Sequence, residues 1–509
     1  MKRLVPTVFT AILLSSFILS QVSVSASPNI IYVPTNYATI QGAVDAANPG
    51  DTVFVYSGTY HESITIAKPI SLIGESKEST TIIGPGTGDV VRISSDGVNI
   101  SDFTVKGSGT NYISPFEGGD AGVKLSLCKN CTISNCISSE NCLGIFLDSS
   151  ENNEIKNNEC YSNSKEGIYL RLSNNNTIKN NICNSNGGHG GIYLNPSNSY
   201  NLIEDNVCNL NLDHGIKLQK SSNNNIVKNN TCLNNGDGIF LLDVYFNTVI
   251  QNNCSSNVRP GIFLRLSENN VVANNTCRFN NEAGISLDFC NYNNTIENNV
   301  CSNNKESGIR LRLSSSQNNV INNTCTSNER QGIKIEYSDY NEISNNTLSK
   351  NRGGGIQVEP RYESQWNEFM ETYKEEVEAK VAKGIKVEGE NSAGNKINWN
   401  DIEGNNGVGC DVGVPTQVNA TYNWWGDASG PYHPTLNPQG KGDRVSDNVL
   451  FEPWLDAQVH AVTEKPPAQP AIPGFPIEAI VTGILLSAGA LIILGKKRGV
   501  PKYSESTMK

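Results

Sequence analysis

Residues 294–312 read NTIENNVCSNNKESGIRLR, and this stretch contains the two motifs that recur through the middle of the chain. The first motif, Asn-x-Ile/Val-x-Asn-Asn-x-Cys, runs from Asn294 to Cys301. The second is a glycine, a β-branched residue, any residue, and then a β-branched residue or leucine. Its glycine recurs at Gly122, Gly144, Gly167, Gly191, Gly215, Gly238, Gly261, Gly284, Gly308, Gly332 and Gly355. The mean period of about 23 residues indicates a solenoid built from repeated coils.

The periodicity within each coil indicates strands. Apolar residues alternate with polar ones, as at Ile168 and Leu170, and no repeat contains a stretch of helical periodicity. A coil of this length holds three short strands and their turns, and each strand can pair with its equivalent about 4.8 Å away in the next coil. The consensus of leucine-rich repeats is missing. The sequence therefore predicts an all-β, right-handed parallel β-helix.

Length and charge exclude several classes of protein. The chain has 509 residues, of which 37% are hydrophobic and 17% charged, and its net charge is −11 at pH 7. A chain this long can bury a large core. An acidic chain without a basic block argues against nucleic acid as a partner. The low fraction of charged residues excludes a charged disordered polymer.

Cysteine occupies one equivalent position in eight successive coils. These residues are Cys160, Cys183, Cys208, Cys232, Cys254, Cys277, Cys301 and Cys325, and Leu348 takes the same position in the next coil. Equivalent side chains stack in a solenoid, so we predict an inward ladder of small apolar side chains. Stacked Cβ atoms are separated by the coil spacing and not by the ~3.8 Å of a disulfide, which favours reduced thiols. Four further cysteines lie outside the ladder: Cys128, Cys131, Cys136 and Cys142. They could pack in the first coils, form a disulfide or bind a metal.

Paired asparagines, such as Asn157-Asn158 and Asn345-Asn346, mark the bends between strands. Asparagine accepts left-handed backbone geometry, and stacked amides can bond along the solenoid. Ten asparagines begin a glycosylation sequon, namely Asn99, Asn130, Asn175, Asn229, Asn253, Asn274, Asn293, Asn322, Asn345 and Asn419. We expect the asparagines of the ladder to be buried, which makes Asn419, outside the repeats, the best candidate for a glycan.

Composition shifts divide the chain into eight segments. We predict a signal peptide at 1–26, an N-terminal cap with the first coils at 27–121, β-helix repeats at 122–358, a helical insertion at 359–383, the last coils and a C-terminal cap at 384–456, a proline-rich linker at 457–476, a transmembrane helix at 477–495, and a cytoplasmic tail at 496–509. The basic residues after the transmembrane helix place the rest of the chain outside the cell, anchored to the outer face of the cytoplasmic membrane.

Two amphipathic stretches within these segments are expected to be helical. Thr39 to Ala47 presents apolar residues on one side and is predicted to cap the first coil. Gln365 to Lys383 carries an apolar stripe and is predicted to pack on the flank of the solenoid. Gly384-Ile385-Lys386-Val387 is then expected to resume the repeat.

Several motifs resemble known families. The repeats are similar to the NosD-type β-helix family, and Ala38-Thr39-Ile40-Gln41 resembles the start of many β-helix surface proteins. Asn423-Trp424-Trp425-Gly426-Asp427 is similar to the closing segment of such proteins in methanogenic archaea. Pro473-Gly474-Phe475, before the apolar helix, resembles an archaeal sorting signal, which implies removal of that helix and attachment of a lipid. The resemblance implies a β-helix and a cell-surface location, but the same fold hosts lyases, esterases, epimerases and inert surface proteins.

The glycine motif also predicts an outer face. Its second and fourth residues are expected to point inward, and its third and fifth residues outward. The outward residues that we predict to bind glycans are Phe146, Tyr169, Arg171, Tyr193, Asn195, Phe240, Phe263 and Arg265. Rings can pack on the C–H faces of sugars, while the polar side chains bond hydroxyls. The alternative is that the aromatic stack only serves packing, beneath a covering loop.

Three functions are open. The first is a non-catalytic surface protein that binds envelope glycans or other surface proteins. The second is a polysaccharide lyase, hydrolase or epimerase, for which Asp148, Arg171, Asp288 and Arg312 are the candidate acid–base residues. The third, implied by the name of the similar family, is copper handling, with His189 and His214 as candidate ligands. No cofactor is predicted, and calcium or copper are the alternatives.

Overall fold

The chain forms a parallel β-solenoid, which confirms the fold class predicted from the repeat. The structure is a computed structural model and describes residues 28–289, 291–360 and 392–459, together with residues 367, 370, 371, 374 and 378. Equivalent strands of successive coils pair in register, as Ile145 does with Ile168 and Ile168 with Ile192. The repeat period thus sets the pairing, and the alternation within each strand decides which side chains enter the core.

Three parallel sheets run along the solenoid. Sheet 1 has 17 strands: Ile30–Val33, Thr52–Val55, Ser71–Gly74, Asn99–Ser101, Thr132–Ser134, Glu154–Lys156, Thr177–Lys179, Leu202–Glu204, Ile226–Lys228, Thr248–Ile250, Val271–Ala273, Thr295–Glu297, Asn319–Ile321, Glu342–Ser344, Lys396–Asn398, Val418–Asn419 and Val449–Leu450. Sheet 2 has 15 strands: Ile64–Ile66, Val91–Ile93, Ala121–Ser126, Leu143–Asp148, Ile168–Arg171, Ile192–Leu194, His214–Gln219, Asp237–Leu242, Ile262–Arg265, Ile285–Asp288, Ile309–Arg312, Gln331–Glu336, Gly354–Glu359, Val408–Val412 and Arg444–Val445. The glycine motif therefore forms sheet 2.

The third face consists of two shorter parallel sheets, together called sheet 3. The first part has the strands Gly58–His61, Thr80–Ile83, Thr104–Lys106, Ile137–Ser139, Glu159–Tyr161 and Ile182–Asn184. The second part has the strands Thr276–Arg278, Val300–Ser302, Thr324–Thr326, Thr347–Ser349 and Asp401–Glu403. Single bridges at Val207, Thr231 and Asn253 connect the two parts. A separate antiparallel hairpin pairs Tyr112–Ser114 with Gly118–Gly119.

The cysteines of the ladder line the interior on the side of sheet 3. Cys160 pairs in register with Cys183, and Cys301 pairs with Cys325, which in turn pairs with Leu348. All eight ladder cysteines are buried, and the thirteen described cysteines carry free thiols. Cys128, Cys131, Cys136 and Cys142 are also buried and unbridged, so the disulfide that the sequence left open for them does not form.

Asparagine side chains form a second stacked feature at the bends. The amide Nδ2 of Asn299 donates to the side-chain oxygen of Asn323 in the next coil at 3.0 Å and to the carbonyl of Val272 at 2.8 Å. The same pattern repeats along the solenoid and satisfies polar groups that would otherwise be buried without partners. Only the second asparagine of each pair belongs to this ladder. The first one lies outside it, with a left-handed backbone, so the expectation that burial blocks most sequons is wrong.

A short helix covers the first coil, as the sequence predicts. It spans Ile40–Ala46, and the hydroxyl of Thr39 caps it by accepting a hydrogen bond from the backbone N–H of Gly42 at 3.1 Å. Ile40, Ala43 and Val44 are buried on its inner side. Burial of this apolar stripe closes the open end of the solenoid, where unpaired strand edges would otherwise be exposed.

The repeat resumes later than predicted. The strand that pairs with Gly354–Glu359 is Val408–Val412, and Gly409 therefore takes the next place in the row of repeat glycines. Residues 384–387, predicted to hold that place, lie outside the described residues. The reason is that the chain returns first to sheet 1, where Lys396–Asn398 pairs with Glu342–Ser344. Within the predicted insertion, the described residues 367, 370, 371, 374 and 378 are helical, and Met370 packs against a buried cluster.

The predicted signal peptide, sorting motif and transmembrane helix lie outside the described residues. Among the residues that are described, no helix is long and apolar enough to cross a bilayer.

Candidate functional site

The predicted aromatic face is not a free surface. Phe146, Tyr169 and Tyr193 stack at ring-centroid distances of 4.9 and 5.4 Å, and all three are fully buried. The predicted stacking of equivalent side chains is thus observed, but the prediction that these rings are exposed to a glycan is wrong.

An excursion from the repeat covers these rings. Residues 107–120 leave the solenoid and form the hairpin, which we call the covering loop. Its Pro115 carbonyl accepts hydrogen bonds from the Tyr169 hydroxyl at 2.7 Å and from the Asn195 side chain at 2.5 Å. Its Phe116 carbonyl accepts one from Arg171 Nε at 2.6 Å. Three of the predicted glycan contacts therefore bond to the covering loop instead.

The remaining predicted glycan contacts lie beyond the covering loop. Phe240 and Phe263 stack at 4.9 Å; Phe240 is buried, whereas Phe263 is half-buried. Arg265 is half-buried as well. Phe263 is thus the ring of the predicted row that keeps an accessible surface, because no part of the described covering loop reaches its coil.

The predicted acid–base residues form two separate ion pairs. Arg171 Nη1 lies 2.5 Å from Asp148 Oδ1, and Arg312 Nε lies 3.6 Å from Asp288 Oδ1. The two pairs belong to coils far apart along sheet 2. Opposite charges on neighbouring strands commonly stabilise a sheet, and this arrangement does not bring the four residues into one site.

A different row of side chains is accessible at the margin of sheet 2. It consists of the residues two positions before the eight repeat glycines from Gly167 to Gly332, and we call it the edge row: Lys165, His189, Asp213, Gly236, Arg259, Glu282, Glu306 and Arg330. Apart from Gly236, its members are half-buried or exposed. The row lies where the chain turns into sheet 2.

Four ionisable residues meet in the middle of the edge row, and we call them the charged cluster: Asp213, His214, Asp237 and Arg259. His214 lies between the carboxylates, with Nε2 3.0 Å from Asp213 Oδ2 and Nδ1 2.8 Å from Asp237 Oδ2. Arg259 joins the same two carboxylates from outside, with Nη2 bonded to Asp213 Oδ1 at 2.5 Å and to Asp237 Oδ2 at 2.7 Å. An imidazole and a guanidinium thus lie between the same two carboxylates.

A glycine makes this arrangement possible. Arg259 reaches Asp213 across two coils, over the coil that carries Gly236. A Cβ atom at Gly236 would lie 2.1 Å from the Asp213 carbonyl and 2.9 Å from Arg259 Nη2. A side chain at this position would therefore block the guanidinium, and the interruption of the edge row by Gly236 is what allows the charged cluster to form.

The side chains of the charged cluster shift the pKa values of Asp213 and Arg259. Burial opposes ionisation of Asp213, but its contacts with His189 and His214 and its hydrogen bond from Arg259 outweigh it and hold the pKa of Asp213 well below its usual value. Burial also opposes ionisation of Arg259, but its bonds to the two carboxylates raise the pKa of the guanidinium. The cluster therefore keeps Asp213 ionised at neutral pH.

Three further side chains surround the cluster. His189 lies beside it, with Nδ1 3.8 Å from Asp213 Oδ2, and its own backbone N–H donates to the buried Glu166 at 3.1 Å. Lys217 is nearly buried between the rings of Tyr193 and Phe240, and burial lowers the pKa of its ammonium group. Burial likewise raises the pKa of Glu166. Such shifts concentrate where proteins bind ligands or transfer protons.

Several buried polar atoms here lack partners within the described part of the chain. They are Glu166 Oε2, His214 Nδ1 and Asp237 Oδ1. Although His214 Nδ1 lies close to Asp237 Oδ2, the contact is not a well-directed hydrogen bond. Unsatisfied buried polar groups are costly, so these three atoms are available to a ligand at this place.

The sequence located only part of this site. His189 and His214 were candidate ligands, and the structure brings both to Asp213. Asp237 and Arg259 do not follow from the predicted outer face, because they lie outside the third and fifth positions of the glycine motif. The available signal was the charge of the residues two places before the repeat glycine, interrupted by Gly236.

Comparison with known proteins supports the fold. The family described as periplasmic copper-binding protein (NosD) matches residues 44–236 and 214–373. A search of curated proteins by sequence found no match. Among solved structures, pre-mature bacteriophage phi29 gene product 12 matches with a TM-score of 0.53 and 14% identity, covering 63% of this chain and 52% of that one.

Two further solved structures match with lower TM-scores. The A-module of mannuronan C-5 epimerase AlgE4 from Azotobacter vinelandii has a TM-score of 0.47 and 19% identity, covering 56% of this chain and 89% of that one. The catalytic domain of a GH87 alpha-1,3-glucanase has a TM-score of 0.46 and 16% identity, covering 67% of this chain and 68% of that one. At these identities the likeness concerns the fold alone.

Proposed function

Because this chain belongs to the NosD family of β-helix proteins, we propose a function carried by the outer margin of its solenoid: the protein binds a polysaccharide along the edge row, centred on the charged cluster. The observation that carries this proposal is the group of Asp213, His214, Asp237 and Arg259, with unpartnered buried atoms, on an accessible stretch of sheet 2.

The edge row suits a sugar chain in spacing and chemistry. Its members repeat once per coil, about 4.8 Å apart, which is close to the length of one hexose unit. Carboxylates, a guanidinium and an imidazole offer both donors and acceptors to hydroxyl groups. The half-buried ring of Phe263 lies in the same coil as Arg259 and offers a face for sugar C–H groups.

Catalysis on that polysaccharide is the second candidate. His189 is half-exposed beside the ionised Asp213, and the half-exposed Arg259 lies on the other side of the same carboxylate. An imidazole beside a carboxylate can accept or donate a proton, and a neighbouring guanidinium can neutralise an anionic group on a sugar. These are the elements that a lyase or an epimerase requires, with His189 as the proton-transfer group.

Copper handling, which the family description suggests, fits the charged cluster poorly. Copper prefers imidazole, thiolate and thioether ligands, whereas the cluster offers two carboxylates and one imidazole. Arg259 already bridges the two carboxylates where a cation would have to lie. The described thiols are all buried within the solenoid. We therefore assign no copper ligand in this cluster and derive no chemistry from a metal.

The family description also bears on location. NosD proteins are described as periplasmic, which agrees with export of this chain. We propose that the chain is exported and held at the cell surface through the apolar segment at 477–495, with the solenoid facing outward.

Binding of the full chain to a panel of neutral and acidic polysaccharides tests the proposal. Arg259→Gln and His189→Ala should each weaken binding of the recognised polysaccharide at least tenfold. Arg278→Gln serves as the matched control, because Arg278 is an exposed arginine on sheet 3. Product analysis on the same panel separates binding from catalysis: His189→Ala should abolish any turnover while leaving part of the binding. Equal binding by all variants, or none by the wild type, would contradict the proposal.

A further inference from the structure

The asparagine pairs at the bends place two chemically identical residues in opposite environments. Asn176 is buried in the amide ladder and bonds to Asn201, whereas Asn175 is exposed with a φ of 56°. The ladder needs only one amide per bend, so the preceding asparagine is left at the tip of the turn. A left-handed φ is one that asparagine tolerates, and it directs this side chain to solvent.

Seven of these tip asparagines begin a sequon. In one of them, Asn229, the side-chain Nδ2 donates a hydrogen bond to Asp205 Oδ1. The other six are Asn130, Asn175, Asn274, Asn293, Asn322 and Asn345, with φ angles between 54° and 57°. Five are exposed and Asn345 is half-buried. Within the described part of the chain, none of their side-chain amides is engaged in a hydrogen bond. Each sequon threonine begins the following strand and is half-buried at its surface.

Asn419 compares poorly with these six. Its side-chain oxygen accepts hydrogen bonds from the Thr421 hydroxyl at 2.9 Å and from Asn398 at 3.2 Å. The asparagine and threonine of that sequon are therefore bonded to each other, in a strand and not at the tip of a turn. The sequence favoured Asn419 as a glycan site because it lies outside the repeats, but its side chain is less accessible to a glycosyl donor than those of the six tip asparagines.

The six asparagines border one face of the solenoid. Asn130, Asn175 and Asn293 precede strands of sheet 1, and Asn274, Asn322 and Asn345 precede strands of sheet 3, at the opposite margin of sheet 1. The edge row lies at the other end of each coil, before sheet 2. Groups attached to the six asparagines would extend over sheet 1 and leave the edge row open.

We propose that the protein is N-glycosylated at these six asparagines, independently of the function proposed above. The donor is an oligosaccharide linked through pyrophosphate to a lipid. The asparagine Nδ2 forms a bond to the anomeric carbon, the bond from that carbon to the pyrophosphate oxygen breaks, and the amide gives up one proton as the lipid pyrophosphate leaves. The glycans form a sheath over sheet 1.

Glycopeptide mass spectrometry on the chain purified from its own cells tests this proposal. Peptides that contain the six asparagines should carry a glycan mass. Asn157, Asn180 and Asn298 are matched controls, because they have the same exposure and left-handed φ but no serine or threonine two residues later. These controls and the buried Asn176 should be unmodified. An unmodified chain, or a glycan on Asn419 alone, would overturn the proposal.

Two substitutions at one sequon separate recognition from folding. Thr177→Val keeps a β-branched residue in the strand but removes the hydroxyl, so it should remove the glycan at Asn175 only. Thr177→Ser restores a hydroxyl and should restore that glycan. Loss of one glycan mass in the valine variant, with unchanged occupancy at the other five sites, shows that the fold is intact. Retention of the glycan in the valine variant would contradict the assignment.

Discussion

Two neighbouring stretches of sheet 2 have opposite relations to solvent. Phe146, Tyr169 and Tyr193 are sealed beneath the covering loop, whereas the charged cluster, one coil further on, keeps Asp213 and Arg259 partly exposed. The repeat decides which way a side chain points in both stretches. Accessibility is decided by a segment that is not part of the repeat. A solenoid face is therefore a binding surface only where nothing else covers it.

The largest expected effect comes from the buried stretch. Tyr169→Ala removes a ring stacked between Phe146 and Tyr193 and two hydrogen bonds of its hydroxyl, and should lower the free energy of unfolding by about 3–5 kcal/mol. Phe263→Ala, in the same row but half-buried, should cost about 1–2 kcal/mol. Urea denaturation followed by circular dichroism measures both. Similar costs for the two variants would mean that the stretches do not differ in burial.

A smaller effect is expected from the pH response of the charged cluster. The pKa of Asp213 is lower in the folded chain than in the unfolded chain, so its stabilising contribution is present above the unfolded pKa near 4 and is lost as pH falls through the lower folded pKa. Because Asp213 is partly exposed, this contribution is about 1–2 kcal/mol.

The measurement is the free energy of unfolding between pH 6 and pH 2. Asp213→Asn should show a shallower decline than the wild type. Glu117→Gln removes an exposed carboxylate of the covering loop and should decline in parallel with the wild type. If Asp213→Asn also declines in parallel with the wild type, Asp213 is not stabilised by the cluster.

The features that recur in every coil could be predicted from the sequence. The period, the strands and the inward cysteines follow from residues that recur in every coil, such as the glycine of sheet 2 and Cys301. Two contacts could not be predicted, because each depends on a feature that occurs in one place only. Arg259 reaches Asp213 only because one coil carries Gly236, and Tyr169 is buried only because residues 107–120 fold back over it. Neither contact recurs along the sequence. One depends on a single insertion, residues 107–120, and the other on a single missing side chain, at Gly236.

Hydroxyl-radical footprinting of the full chain tests most directly whether sheet 2 is divided in this way. Tyr200 is 60% exposed on a turn of the same coils and serves as the internal reference. We predict fast oxidation of Tyr200, intermediate oxidation of His189 and Phe263, and strong protection of Tyr169 and Tyr193. Oxidation of Tyr169 and Tyr193 at the rate of Tyr200 would show that the aromatic stretch is open, and would contradict the assignment of the binding surface to the charged cluster.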